Sequence, residues 1–254
     1  VEWYEWAVEP IATSTPNVYD LKVRELPKEI SLFVDQDGDD LDNDYYIFSN
    51  FEEVKEYITV INPNAAEYYI NTNVDNIEVK GDVLDYSSFV GTWTDGKRSN
   101  GVNLNLDGHS LKIVDDATIA LNYFNGINRN TKISSTITVD STVKMVTFLP
   151  RYMAEEGQNI LFMNDIQIVP NNAKFVFGEN VQGEQNYLSL DVKFNGKVSD
   201  VIFYDCVYWR STSTLEVKKL SILNAGSSLP YIENLKADLL YVNEGGFSGR
   251  KVQV

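Results

Sequence analysis

The chain is poor in residues that staple or ligate. One cysteine, Cys206, in 254 residues excludes an intrachain disulfide framework and leaves stability to packing, oligomerisation or ions. With one histidine, His109, the chain lacks the ligands for a His-rich zinc site or a cysteine–histidine metal cluster. Basic residues are outnumbered, 21 Lys and Arg against 37 Asp and Glu, and no Lys/Arg cluster exceeds two residues. A net charge of −16 without a compact basic patch repels phosphates, so no nucleic acid is expected as a partner. No apolar run approaches the length that spans a bilayer, so a soluble chain with no membrane partner is expected. The nucleophile elbow, the P-loop and the spaced-glycine dinucleotide fingerprint are all missing. The chain begins at Val1 with no basic, apolar leader, which is the expectation for a processed or excised piece of something longer.

The 43% hydrophobic content of the chain is that of a globular protein able to bury a core. Residues 1–28, with the aromatic string "WYEW", Pro10 and Pro16, and the charged "KVRELPKE" that begins at 22, read as a linker or docking arm. Trp3, Tyr4 and Trp6 anchor either on a neighbouring protein or on the chain's own core. Residues 29–65 hold a first strand, "EISLFV", an acidic loop and the single good helix. That helix is expected over 49–61: Ser49 or Asn50 serves as N-cap, and Glu52 and Glu53 oppose the dipole in the first turn. Phe51, Val54, Tyr57, Ile58 and Ile61 make one apolar face, and "NPN" at 62–64 stops the ladder. From 66 to 254 the pattern is short strands separated by Asn, Asp and Gly, with centres about ten residues apart.

The turn residues pull two ways. Asn-Gly at 125–126 and 195–196 is a hairpin signal and favours antiparallel pairing. More often an apolar, polar, apolar run meets an Asn or Asp bend, as in "MNDIQIVPNNAKFVFGENV", and Asn tolerates the left-handed backbone that sharp corners between flat strands require. "ISLFVDQDGDD", "FSNFEEVKEYI" and "EYYINTNVDNIEVKGDV", with the later "VSDVIFYDCVYW" and "LEVKKLSILNAG", resemble the right-handed parallel β-helix proteins, the pectate-lyase-like fold of polysaccharide lyases and phage tailspikes. The resemblance covers about residues 29–246 and implies an all-β solenoid body with a short N-terminal capping helix. The alternative is an antiparallel β-sandwich or jelly roll.

Carboxylates are too numerous to single out a catalytic pair: Glu155 with Glu156, and Asp200 with Asp205, read first as solvated surface acids. Arg151 and Arg210 stand in no motif. His109 lies in a turn, and Cys206 reads as a core residue. Rings are abundant, with 15 Tyr and 4 Trp. Trp93, Tyr204, Tyr208 and Trp209 lie in or beside strand edges, where a flat face can stack on a sugar; core and subunit contact are the competing roles. "DQDGDDLDND" at 35–44 lacks the glycine at position six and the closing glutamate of an EF-hand. Asp35, Asp37, Asp39, Asp42 and Asp44 remain candidates for a looser calcium site in what reads first as a solvated turn; no other cofactor is required.

The expectation is a structural and adhesive module of a surface appendage, in a virion or outside the cell. It would be a segment of a phage tail fibre or tailspike that forms a homotrimer, touches host-surface polysaccharide and meets a neighbouring appendage protein through its N-terminal arm. The alternatives are a polysaccharide depolymerase, as lyase or glycoside hydrolase, and a carbohydrate-binding jelly roll of a secreted bacterial protein.

Overall fold

The structure, a computed structural model, describes residues 6–12, 19–25, 30–36, 43–63, 65–81, 101–128, 130–153, 158–179, 186–204, 206–209, 214–223, 230–243 and 246–254. Strand residues make up 64% and helix 7%, so the chain is all-β. β1 (Trp6–Ala12) and β2 (Tyr19–Glu25) form an antiparallel sheet of their own. Next come β3 (Ile30–Asp35), β4 (Asn43–Phe48), the helix α1 (Phe51–Glu56), a π-helical turn (Tyr57–Ile61) and β5 (Glu67–Thr72). Short strands follow: β6 (Ile77–Val79), β7 (Gly101–Asn105), β8 (Leu111–Ile113), β9 (Ala117–Leu121), β10 (Tyr123–Asn125) and β11 (Ser135–Val139). The longer ones are β12 (Met145–Met153), β13 (Gln158–Val169), β14 (Lys174–Phe177), β15 (Asn186–Phe194) and β16 (Val198–Tyr204). β17 (Cys206–Trp209), β18 (Leu215–Leu223), β19 (Tyr231–Asn243) and β20 (Ser248–Gln253) complete the order. Among the described residues no helix is long and apolar enough to cross a membrane.

Consecutive strands mostly do not pair with each other. One parallel ladder runs β5, β7, β10, β13, β15, β17, β19, β20. A second runs β6, β8, β11 and the C-terminal half of β13. A third runs β9, β12, β14, β16, β18 and β19. Two closures then join the first ladder to the third. At one end β12 meets β13 antiparallel, Arg151 opposite Ile160; at the other β18 lies parallel to β19, Leu220 opposite Leu240. The eight strands β12 to β19 thus make a closed barrel of mixed orientation.

That closure corrects the expected right-handed parallel β-helix, in which pairing is parallel throughout and the coil stays open. β3 departs from it too, pairing antiparallel with both β4 and β5. An antiparallel sandwich or jelly roll is equally unlike these ladders, because most of their pairings are parallel. The Asn-Gly sites do not make hairpins: Gly196, at φ 127°, turns the chain from β15 into β16, which belong to different ladders. The left-handed non-glycine residues are Asn76, Asp107, Lys132, Asp165, Asn171 and Asn172, so the corner role assigned to Asn and Asp is what the backbone uses.

Closure is held by a buried side chain. Asn122, 1% exposed, donates from Nδ2 to the carbonyl oxygens of Arg151 (3.0 Å) and Ile160 (3.4 Å), the two residues of the antiparallel closure. Its Oδ1 accepts the Val102 N–H at 3.1 Å. All the hydrogen-bonding directions it needs are filled, which is what makes a buried amide tolerable.

Inward positions of the strands from β3 to β19, β4 apart, merge into one core from Ile30 to Ala237. Phe148, Phe177 and Phe203 come from successive strands of the third ladder with centroids 5.3 and 5.4 Å apart. Each such fully buried ring contributes about 1.5–3 kcal/mol by leaving water. α1 closes the end beside β3 and β4. Asn50 caps it by accepting the Glu53 N–H at 2.9 Å, and the Glu53 carboxylate reaches back to accept the N–H of Ser49, the residue before the cap, at 2.9 Å. Phe51, Val54, Tyr57 and Ile58 are buried as expected, whereas Ile61 is exposed after the helix widens into its π-turn.

Candidate functional site

Outward positions of the first ladder carry a row of rings. On β10 and β13, Tyr123 lies directly opposite Phe162, stacked at 5.1 Å with an 11° interplanar angle. Tyr187 of β15 follows at 5.8 Å from Phe162, Tyr208 of β17 at 5.8 Å from Tyr187, and Tyr231 of β19 at 6.3 Å from Tyr208. The last three contacts are tilted by 37° to 59°, so these rings are not closed on each other like a flat pile. Register places Tyr123 opposite Phe162 and Tyr208 opposite Tyr231, whereas Tyr187 lies two residues before Ser189, the residue facing Phe162 and Tyr208, and meets both rings on the diagonal. Tyr123 is 39% exposed and the other four rings are half-buried.

Two residues beyond the rings of β10 and β13 starts a row of carboxamides that continues onto β7 and β5. Asn71, Asn105, Asn125 and Asn164 are in register across β5, β7, β10 and β13. Asn105 Nδ2 donates to Asn71 Oδ1 and Asn125 Nδ2 to Asn105 Oδ1, both at 3.2 Å. At Asn164 the ladder bulges. Met163 pairs with Leu190 and Ile166 with Val192, so Asn164 and Asp165 together face the single residue Asp191. Asp165 sits in the left-handed region at φ 55°. Its carbonyl fits only because Gly126 is opposite, where a Cβ would come within 2.5 Å of that oxygen.

Asp191 therefore continues the amide row as an acid. Partial burial, and then the charge of Asp165, push its carboxyl above the usual carboxylate range. Farther along, Glu233 and Arg250 hold the same rank, with Arg250 Nη1 donating to Glu233 Oε1 at 3.5 Å.

The residues singled out in the sequence are scattered by this fold. Tyr208 stands in the ring row. Tyr204 is half-buried on β16 in the third ladder, away from it. Trp209, expected at a strand edge where a ring stacks on sugar, is 1% exposed and lies in the core, stacked on Phe194 at 5.8 Å and edge-on to Phe177 at 6.3 Å. A surface ligand cannot reach it. Trp93 lies outside the described residues, as do Asp37, Asp39 and Asp42.

Of the remaining acids, Asp35 ends β3 and is 4% exposed, while Asp44 is exposed on β4 and accepts from Gln36 Nε2 at 3.2 Å. Asp35 is opposite Asn43, and Asp44 is opposite Val34, so the two carboxylates leave opposite faces of the β3–β4 pair. The acidic stretch thus joins two paired strands; it does not lead from strand to helix. Among the described residues no group of three or more His, Cys, Asp or Glu is arranged to hold a metal. Asp200 is half-buried on β16; Asp205, Glu155, Glu156 and Arg210 lie outside the described residues. Arg151 is 8% exposed at the barrel closure.

His109 does find an acid that the sequence did not indicate. Its Nδ1 lies 3.4 Å from Asp75 Oδ1, and that oxygen also accepts the Ser110 N–H at 3.0 Å and the Ser110 hydroxyl at 3.3 Å. The serine is bonded to the aspartate, so this corner lacks the serine-to-histidine bond of a nucleophilic triad.

Sequence reasoning missed Tyr123, Phe162, Tyr187 and Tyr231 as members of one row. Only the pairing register makes them neighbours, and the usable signal was the repeated polar-aromatic parity of "NYF", "LFMN" and "NYLSL". Comparison with family models, with curated proteins and with solved structures finds no match for this chain.

Proposed function

We propose that this chain is a structural and adhesive module that contacts polysaccharide along the ring row of its first ladder. The observation that carries the reading is the run of five contacting rings, Tyr123, Phe162, Tyr187, Tyr208 and Tyr231, flanked at Tyr123 and Phe162 by the in-register amide row. A glycan is long and flat, with apolar C–H patches between hydroxyls. Tilted rings offer partial faces to the C–H patches, and phenols and carboxamides exchange hydrogen bonds with the hydroxyls. A row of this kind needs no deep pocket, which suits the outside of a rigid barrel.

The test is binding to an array of bacterial-surface and plant oligosaccharides, followed by titration of a bound member. Tyr187→Ala and Tyr208→Ala are each expected to weaken binding about fivefold, near 1 kcal/mol per ring. Tyr204→Ala, on another ladder, should leave affinity unchanged. Equal losses in all three variants, or retention of no glycan at all, would remove the row from this role.

A further inference from the structure

The amide row beside the rings ends in carboxylates, and this sets what a chain lying on the rings is allowed to carry. Asp191 is two residues past Ser189 on β15, and Ser189 is directly opposite both Phe162 and Tyr208. Two residues of strand span about 6–7 Å, so the acid flanks the middle of the row within the reach of a bound sugar's substituents. Asp165 shares that position through the bulge, and Glu233 stands beside Tyr231 at the far end. Against these three acids, the cation of the same rank among the described residues is Arg250, already donating to Glu233. The whole chain adds a field of −16.

We infer that the row takes uncharged glycan chains and rejects polyanionic ones, with Asp165 and Asp191 as the residues that enforce the difference. The inference rests on the reading of the rings as a glycan track. Like charges brought together at a contact disfavour the wrong partner without adding affinity for the right one. The elevated carboxyl of Asp191 fits a place where negative charge is already crowded and poorly solvated. The backbone supports the assignment as well: the bulge that turns both acids onto one flank depends on Gly126 to admit the Asp165 carbonyl.

The experiment compares matched pairs of oligosaccharides, a neutral glucan against a polygalacturonate of equal length, and neutral against uronate-bearing members of the array. At low salt the anionic partner is expected to bind at least about tenfold more weakly. The gap should narrow as salt rises, since exposed charges are screened beyond about 10 Å at 0.1 M. It should also narrow at low salt in Asp165→Asn with Asp191→Asn; Asn accepts the left-handed backbone at 165, and an unchanged melting temperature verifies the fold. Anionic chains bound as tightly as neutral ones by the parent protein overturn the inference while leaving the ring track standing. A gap that persists in the double variant overturns the assignment to these two acids. Loss of all glycan binding in the parent defeats the ring track itself.

Discussion

Asp191 carries a pH dependence that its surroundings determine. Burial and the Asp165 carboxylate hold its carboxyl above the ordinary value, so between the unfolded and folded pKa the native state binds more protons than the unfolded chain. Stability from this group is therefore highest below the usual carboxylate pKa and falls as pH rises through it toward the folded value. Asp191→Asn should leave the melting temperature unchanged in acid, where the parent carboxyl is already protonated, and raise it at pH 7. Thermal unfolding at both pH values checks this; a lower melting temperature for the variant at neutral pH would show that the ionised acid is stabilising. At this scale the sequence was informative where a property is local. Asn and Asp at corners were legible, because αL tolerance belongs to the residue. Trp209 was not, because Tyr208 and Trp209 are neighbours whose opposite fates follow from strand parity alone.

The helix is the element whose ends were written most openly. Asn50 at the N-cap, acids in the first turn and the apolar spacing all appear in the structure, where α1 occupies Phe51–Glu56 and a π-turn completes the run to Ile61. Asn50→Ala removes the acceptor for the Glu53 N–H and is expected to cost about 0.5–2 kcal/mol, read as a shifted urea midpoint with unchanged slope. Gly in its place should cost only a few tenths. Strands β5, β7, β11, β14 and β18 lie where alternation put them. "TIALNYF" at 118–124 reads as one strand but divides at Asn122 into β9 and β10, and "DVIFYDCVYW" at 200–209, read as one, holds β16 and β17. β1 and β2, within the stretch read as a linker or docking arm, and β4 and β20 escaped notice. "NDYYIF" was absorbed into the acidic stretch, and "SGRKVQ" is so exposed that it shows no apolar parity, its strand state coming entirely from pairing with β19.

At the scale of the molecule, closure of the barrel depends on one buried amide joining β7, β12 and β13. Asn122→Ala removes the side-chain bonds to the Arg151 and Ile160 carbonyls and from the Val102 N–H, each contributing about 0.5–1.5 kcal/mol net. A loss of several kcal/mol is expected in chemical denaturation, and near-equal stability of variant and parent would show that closure needs no such bridge. Composition and alternation by themselves determined the all-β class, the capped helix, the corner residues and the acidic net charge, since each follows from residue chemistry or from contacts within a few positions. Tertiary structure alone decided the rest: which strands pair, that β12 and β13 turn antiparallel to close the ring, and that five distant rings share a line. The β12–β13 contact is local, its partners five to nine positions apart, but the other outcomes depend on contacts between residues some twenty to forty positions apart, where register is selected by packing the whole core together, which no short stretch of the chain encodes.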